Sequence, residues 1–277
     1  MEVLNKDRIE RWIIPHLSSG RRGTKVRVEP WRIVAAILYR LKSGCQWQML
    51  PVEKFFTSEK RLTANGVYHH FNKWVKQGCF KQVWIELLKA NHRLLDLSCM
   101  QLDGSHTPAK NGGEHIGYQG RKTARTTNAL FFSDNQGLPL AMATPQDGNH
   151  HDLHNIQVLF EELCQLLREA EVDLKGVFMN ADSGFDAQVL REQCSDKQIE
   201  ANIEVNDRNN KEEQSQSYVY FDELLYKRRF VIERMNAWID SFKALLIRFE
   251  TTLKAWMQLH FLAFSVILCR KLLNVKL

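Results

Sequence analysis

The hydrophobic period of this chain changes near residue 97. Before that point apolar residues recur at helical spacing, and after it they gather in short strand-like runs separated by turns. A chain with that switch needs two architectures in series: an all-helical segment, then a layered α/β segment. The boundary is drawn at residue 95, giving domains 1–95 and 96–277.

In the first segment, 6–17 carries Ile9, Ile13 and Ile14, and 30–42 carries Ile33, Ile37 and Leu41 behind Pro30, which suits a first helical turn. Ser43-Gly44-Cys45 stops that helix, and a polar connector runs from Pro51 to Arg61. Val67, Phe71, Trp74 and Val75 mark a helix ended by Gly78, and Val83, Leu87, Leu88 and Leu94 mark another.

In the second segment, 99–103 reads as a short strand ending on Asp103. The runs 129–132 and 140–143 read as a hairpin about Asn135-Gln136-Gly137. A helix is expected over 152–170, with Asp152 as its N-cap. A buried strand covers 176–182 and ends on Asp182, a helix covers 186–194 and a strand covers 199–205. The stretch 206–217 is a polar loop. Helical pattern returns over 222–248, and a last apolar helix spans 252–273. That helix is too short in its apolar part to cross a membrane, which takes roughly 20 residues.

Charge divides along the same line. Residues 1–100 hold 18 basic and 8 acidic side chains, a net of +10, and the remainder nets −4, for +6 overall. The basic third is expected to meet a polyanion, with nucleic acid the first choice. Tyr68, His69, Asn72, Lys73 and Lys76 lie on the outward face of the helix near 66–76. Donors and cations on a short helix after a turn are what a DNA groove requires of a recognition helix. None of the six cysteines sits in a Cys-x-x-Cys pair and the N-terminus has no apolar leader core. A zinc knuckle or a disulfide scaffold is therefore not expected, and a cytoplasmic, nucleoid-associated protein is.

Asp103 and Asp182 both close strands, and ligands of open α/β sheets gather at strand ends. Glu233 is the third candidate acid. Tyr226, Arg229 and Glu233 are spaced by three and four, so one helix face would carry a phenol, a guanidinium and an acid. Three carboxylates can hold two divalent cations for phosphodiester chemistry, and Mg²⁺, with Mn²⁺ as substitute, suits such a site. Arg229 and Tyr226 could meet phosphate.

These residues carry a resemblance to bacterial insertion-sequence transposases of the DDE type, in the group that pools insertion-sequence families four and five. It rests on Trp31 to Trp47, Leu50-Pro51 and Val67 to Trp74. In the second segment it rests on Asp103-Gly-Ser-His106, Gly120-Arg121-Lys122, Thr144 to Asp152, Ala181 to Asp186, and Tyr226-x-x-Arg229-x-x-x-Glu233-Arg234. The resemblance implies a ribonuclease-H-like mixed sheet flanked by helices behind an N-terminal, helix-turn-helix-like DNA-binding domain. It implies Asp103, Asp182 and Glu233 as catalytic metal ligands, DNA contacts at Tyr226, Arg229, Arg121 and Lys122, and double-stranded DNA as partner, gripped by a homodimer. The related motif ends in Lys seven places after Glu, where this chain has Asp240; Lys243 is expected to stand in, one turn further along the helix. Only 51 positions separate Asp182 from Glu233, so no DNA-hairpin step is carried over from relatives with a large insertion there.

Three other readings compete. His150 and His154, at i, i+4 spacing, could bind zinc in a metallohydrolase. A nuclease of the same fold would cut without joining strands. A non-catalytic DNA-binding protein derived from a transposase would do neither.

Overall fold

A computed structural model describes residues 3–18, 28–59, 61–206 and 220–272. In chain order the elements are α1 (Lys6–Trp12), α2 (Pro30–Ser43), α3 (Ala64–Lys76), α4 (Cys79–Asn91), β1 (Cys99–Pro108), β2 (Gly117–Gln119), β3 (Ala124–Ser133), β4 (Pro139–Met142), β5 (Gln146–Asp147), α5 (Ile156–Glu169), β6 (Phe178–Ala181), α6 (Gln188–Asp196), β7 (Glu200–Ile203), α7 (Glu223–Tyr226), α8 (Val231–Asp240), α9 (Lys243–Leu246) and α10 (Leu253–Lys271). They form two compact units. The first comprises Met1–Ala90, Thr107–Glu114 and Trp238–Leu277, and the second Asn91–His106 and His115–Ala237.

The first unit is helical. α1 is shorter than expected: it stops at Trp12, and the chain tightens into a 3-10 turn over Ile14–His16 that contains Pro15, whose ring leaves no N–H for a continuing helix. α2 starts on Pro30 and ends where Gly44 turns left-handed at φ 70°. α3 is N-capped by the Thr63 side chain, which accepts from the Gly66 N–H. α10 is buried on nearly every side, with Trp256, Leu259, Phe261, Phe264 and Ile267 inside, as an all-round apolar helix must be. It also completes α4: Gln258 Oε1 accepts from the backbone N–H groups of Phe80 and Lys81 at 2.9 and 3.2 Å, two donors that a helix start leaves without partners. No helix among the described residues is long and apolar enough to cross a membrane.

A buried ion pair ties the sequence extremes of this unit. Arg40 of α2 meets Glu250 at 2.6 Å, with the side chains 4% and 10% exposed, and the guanidinium lies 4.9 Å from the Trp47 ring centroid.

The second unit holds a seven-stranded mixed sheet whose main path runs β2-β3-β1-β6-β7, with β4 and β5 also paired to β3. β1–β6 and β6–β7 are parallel; β3 runs antiparallel to β2, β4 and β5. Asp96, before β1, donates its N–H to Asp134 Oδ2 and accepts from the Asn135 N–H, just past β3, so β1 and β3 also run antiparallel. The expected hairpin joins β3 to β4. Its turn is held by Asp134 Oδ1, which accepts from the N–H groups of Gln136 and Leu138. α5 packs on β4 and α6 on β7, so helices flank the sheet as expected.

Several expectations need correcting. β1 does not stop at Asp103; it continues to Pro108, losing burial after Leu102. Asp152 caps no helix, because α5 begins four residues later behind Asn155, which is left-handed and makes no side-chain cap. The helical stretch after 222 is not one helix. It tightens into a 3-10 turn over Lys227–Phe230 and breaks again after Asp240. β2 and β5, of three and two residues, were too short to show a period. Most of the loop expected over 206–217 lies outside the described residues.

Removing one member of a buried ion pair strands the other charge in a medium that cannot solvate it, at a cost of about 3–5 kcal/mol. Glu250→Ala should lower stability in urea by about that amount. A double replacement, Arg40→Met with Glu250→Leu, should recover most of the loss.

Candidate active site

The site begins with strand register. Gln101 of β1 pairs with Asn180 of β6, and Asn180 with Asn202 of β7. Their side chains are fully buried and bonded in series: Asn202 Nδ2 donates to Asn180 Oδ1 at 2.8 Å, and Asn180 Nδ2 donates to Gln101 Oε1 at 3.0 Å. Two residues further along the chain stand Asp103, in β1, and Asp182 and Glu204, each the first residue past β6 and β7. A two-residue step returns to the same face of a strand, so the register that aligns the amides aligns the acids. Adjacent strands run about 4.8 Å apart.

The same amides hold the chain segment that follows. Asn180 Nδ2 donates to the Leu225 carbonyl at 2.8 Å, Asn202 Nδ2 to the Asp222 carbonyl at 3.0 Å, and the Asp222 N–H to Asn202 Oδ1 at 2.7 Å. Asp222 Oδ1 then caps α7 by accepting from the Leu224 and Leu225 N–H groups. Tyr226 ends α7, and the Arg229 guanidinium lies 5.7 Å from its ring centroid. A 3-10 turn eclipses residues three apart, which brings this pair together.

Electrostatics registers the same convergence. The Asp103 carboxyl is pushed up to about 7, first by burial and then by the like charges of Asp152 and Asp182; the Gly104 N–H and the Arg229 cation oppose the shift. The Tyr226 phenol is pushed up, first by burial; Arg229 opposes this, and Glu204, to which the phenol hydrogen-bonds, adds to it. Asp182 accepts from the Gly184 N–H at 2.9 Å.

The other expected site residues fall as follows. Glu233 is exposed in the first turn of α8. Arg121 is exposed, and Lys122 donates to the His106 carbonyl at 2.9 Å. Lys243 is not on the helix that carries Glu233. It opens α9, in the first unit, where a Cβ added at Gly44 would come within 2.9 Å of its Cβ. On α3, Tyr68, His69 and Lys76 are exposed, whereas Asn72 and Lys73 are half-buried. Tyr68 packs on Trp47 at 5.1 Å between ring centroids, and Lys73 donates to the Ser18 carbonyl at 3.5 Å.

Among the described residues, no group of three or more His, Cys, Asp and Glu side chains is drawn up to hold a metal ion. The rings of His150 and His154 stand 3.7 Å apart, centroid to centroid, and belong to no such group. Around Asp103 the available ligands are carboxylate oxygens. That set suits a hard cation such as Mg²⁺, which needs only one or two carboxylates because it keeps waters and takes substrate phosphates. The amides were not singled out from the sequence as parts of a site. The signal for the amides was an amide-x-acid triplet repeated in three strands: Gln101-Leu-Asp103, Asn180-Ala-Asp182 and Asn202-Ile-Glu204.

Two outcomes are expected. An Asp whose folded pKa lies near 7, against 3.8 unperturbed, takes up protons on folding. It therefore subtracts stability as pH rises from about 4 to 7, by about 1.4 kcal/mol for each pH unit crossed. In metal-free protein Asp103→Asn should melt higher than wild type at pH 8, with the gap closing toward pH 4. Asn180→Leu should cost about 3 kcal/mol by leaving buried amides unpaired. It should also speed tryptic cleavage after Lys227 and Arg228, because α7 loses its anchor.

Comparison with known proteins places these features in a family. The family model for transposases of the IS4/5 family matches residues 7–84, and the model for the transposase DDE domain matches residues 88–268. No curated protein matches. Among solved structures, the Mos1 transposase paired-end complex with left transposon end is 11% identical, covering 90% of this chain and 80% of that one at a TM-score of 0.31. The catalytic domain of Mos1 mariner transposase is 12% identical, covering 72% and 92% at a TM-score of 0.30. The Mos1 mariner paired end complex with Mn is 13% identical, covering 94% and 83% at a TM-score of 0.28. Scores near 0.3 are too low to define a shared fold, so the ribonuclease-H-like assignment rests on the mixed sheet and the DDE-domain match. By that match, which spans well over half its length, the chain belongs to the DDE transposases, of the IS4/5 type.

Proposed function

We propose that the protein binds the terminal repeats of an insertion sequence and carries out metal-dependent strand cleavage and strand transfer there. The observation that carries this reading is the parallel pairing of Gln101 with Asn180, each two residues before an aspartate, with Asp182 and Arg229 both acting on the Asp103 carboxyl.

Asp103 and Asp182, with Glu233 as third acid, hold Mg²⁺, for which Mn²⁺ substitutes. When bound, the cation lowers the cost of forming the attacking oxygen and of releasing the leaving one. Arg229 pairs with a phosphate beside the scissile bond, and its charge also favours the ionised form of Asp103. The Tyr226 phenol, which donates to Glu204 in the DNA-free protein, turns its one O–H to a phosphate when DNA is bound. Arg121 and Lys122 add cationic contacts to the backbone.

Residues 1–95 act as the DNA-end grip and 96–277 as the catalytic part. The exposed Tyr68, His69 and Lys76, with Asn72 and Lys73 beside them, present the groove-reading face of α3. The charge of the first third makes this grip salt-dependent. A dimer holding two ends follows from the need to join them, and the nucleoid is where such a protein works.

The test uses purified protein and a supercoiled plasmid carrying the element's ends. Wild type should give Mg²⁺-dependent cleavage and joined products. Asp103→Asn, Asp182→Asn and Glu233→Gln should each reduce both by at least about a thousandfold, the scale of losing a principal electrostatic contribution, and leave end binding intact. Cleavage without joining would assign the chain as a nuclease instead. Undiminished cleavage in the variants would remove the three acids from the mechanism.

A further inference from the structure

We propose that Tyr118 and Arg125, side by side on the open face of the β2–β3 ribbon, hold the DNA backbone close to the scissile bond. The inference rests on the reading of Asp103 as a catalytic acid and adds two contacts outside the residues that reading names.

The pleat of the sheet places the pair. His106 Nδ1 lies 3.1 Å from Thr126 Oγ1, and Gly104 and Asn128 both face the Asp152 carboxylate. The even-numbered residues of β1 and β3 therefore share one face, and Asp103 and Arg125 share the other. Tyr118 is the cross-strand partner of Arg125, so it lies on the face of Asp103 too.

The chain itself fills the back of the ribbon, where Gly117, Gln119, Ala124 and Thr126 stand. A Cβ added at Gly117 would come within 2.2 Å of Asn149 Oδ1. Gln119 Nε2 donates to the Gly148 carbonyl at 3.2 Å and lies 3.4 Å from His106 Nε2. The turn is tied to β1 by the Lys122 ammonium on the His106 carbonyl. The front is open. It carries Tyr118, 58% exposed, and Arg125, also exposed. Neither side chain makes a hydrogen bond or an ion pair among the described residues. A cation on an edge strand can guard against aggregation. Arg125 has no such duty, because β3 is paired on both sides, and an exposed tyrosine on the edge strand β2 guards against nothing.

The position suits DNA held at the acids. His106 lies three residues along β1 from Asp103, about 10 Å at the rise of a strand. Each DNA strand carries a phosphate about every 3.4 Å along the duplex, so the ribbon meets backbone about three nucleotides from the bond cut beside Asp103. A guanidinium offers such a phosphate two parallel donors, and a phenol offers one. The bracing behind the ribbon fixes both strands before DNA arrives.

The experiment titrates the full chain with a linear duplex carrying one end of the element, without divalent metal so that binding is read apart from cleavage. Arg125→Ala should weaken binding about 10-fold, the scale of one hydrogen bond to a charged group. It should also reduce the slope of log affinity against log salt by about one. Tyr118→Phe should weaken binding several-fold and leave the slope unchanged. Lys175→Ala, which removes an exposed cation ahead of β6, at the strand ends away from the acids, should change neither. A scan that replaces single phosphates by uncharged methylphosphonates needs no variant. Wild type should lose affinity at a phosphate about three nucleotides from the cut, and Arg125→Ala should be indifferent there. Wild-type affinity and slope in Arg125→Ala, or a scan without effect around that phosphate, would overturn the contact, and would leave the function standing if wild type still cuts and joins the plasmid. A reduced slope in Arg125→Ala, with a wild type that neither cuts nor joins, would keep the contact and sink the transposition reading instead.

Discussion

The catalytic half of this transposase depends on a row of three buried amides. Gln101, Asn180 and Asn202 occupy sheet positions where apolar side chains would carry no desolvation cost, because each amide loses water and must regain its hydrogen bonds inside the protein. They regain them from one another across β1, β6 and β7, and what remains of their capacity goes to the backbone of 222–225. The row is thus both a register lock and an anchor. A slip of one residue would turn the amides to the opposite face and break every bond in the row, so the penalty for misalignment is far steeper than an apolar sheet would impose. Acids two residues downstream inherit that precision, and their own bonds, from the Gly184 N–H to Asp182 and from the Tyr226 phenol to Glu204, add to it.

Much of this was legible in the sequence, and the reasons differ by element. α2, α3, α4 and the β3–β4 hairpin announce themselves because their apolar spacing and turn residues agree with their final environment. The ends of β1 and α5 misled because Asp103 and Asp152 look like ordinary punctuation. An Asp before Gly reads as a strand terminus, and an Asp at a helix start reads as a cap. Here Asp103 sits inside a strand that runs on to Pro108, and Asp152 accepts from the buried Asn128 amide, tertiary demands that local pattern cannot carry. The division of 222–248 into α7, α8 and α9 was hidden for a similar reason: the apolar spacing persists through the 3-10 turn, while the tightening is imposed by the bonds from Asn180 and Asn202. Asn128 gave no signal at all, standing beside Thr126 and Thr127 as one of several polar residues in a buried strand.

The helical unit has a different logic. Its core is built from pieces far apart in the chain, so its stability comes from closures that are distant in sequence: Arg40 with Glu250, and Gln258 with the start of α4. Neither closure follows from the charge pattern of the first 100 residues. That pattern describes what this surface is suited to meet and says nothing about what holds the helices beneath it.

The order of synthesis follows from this arrangement. The residues that complete the first helices, Glu250, Gln258 and the apolar run of α10, are made after every strand of the catalytic sheet. A nascent chain therefore carries its basic N-terminal third as an unfinished body for most of translation. The sheet, whose strands lie between residues 99 and 203, can close earlier. Its acids exist before the helical unit that shares the chain is complete, and a chain interrupted before residue 250 would retain the aligned aspartates while its helical unit lacked the ion pair and the cap that close it.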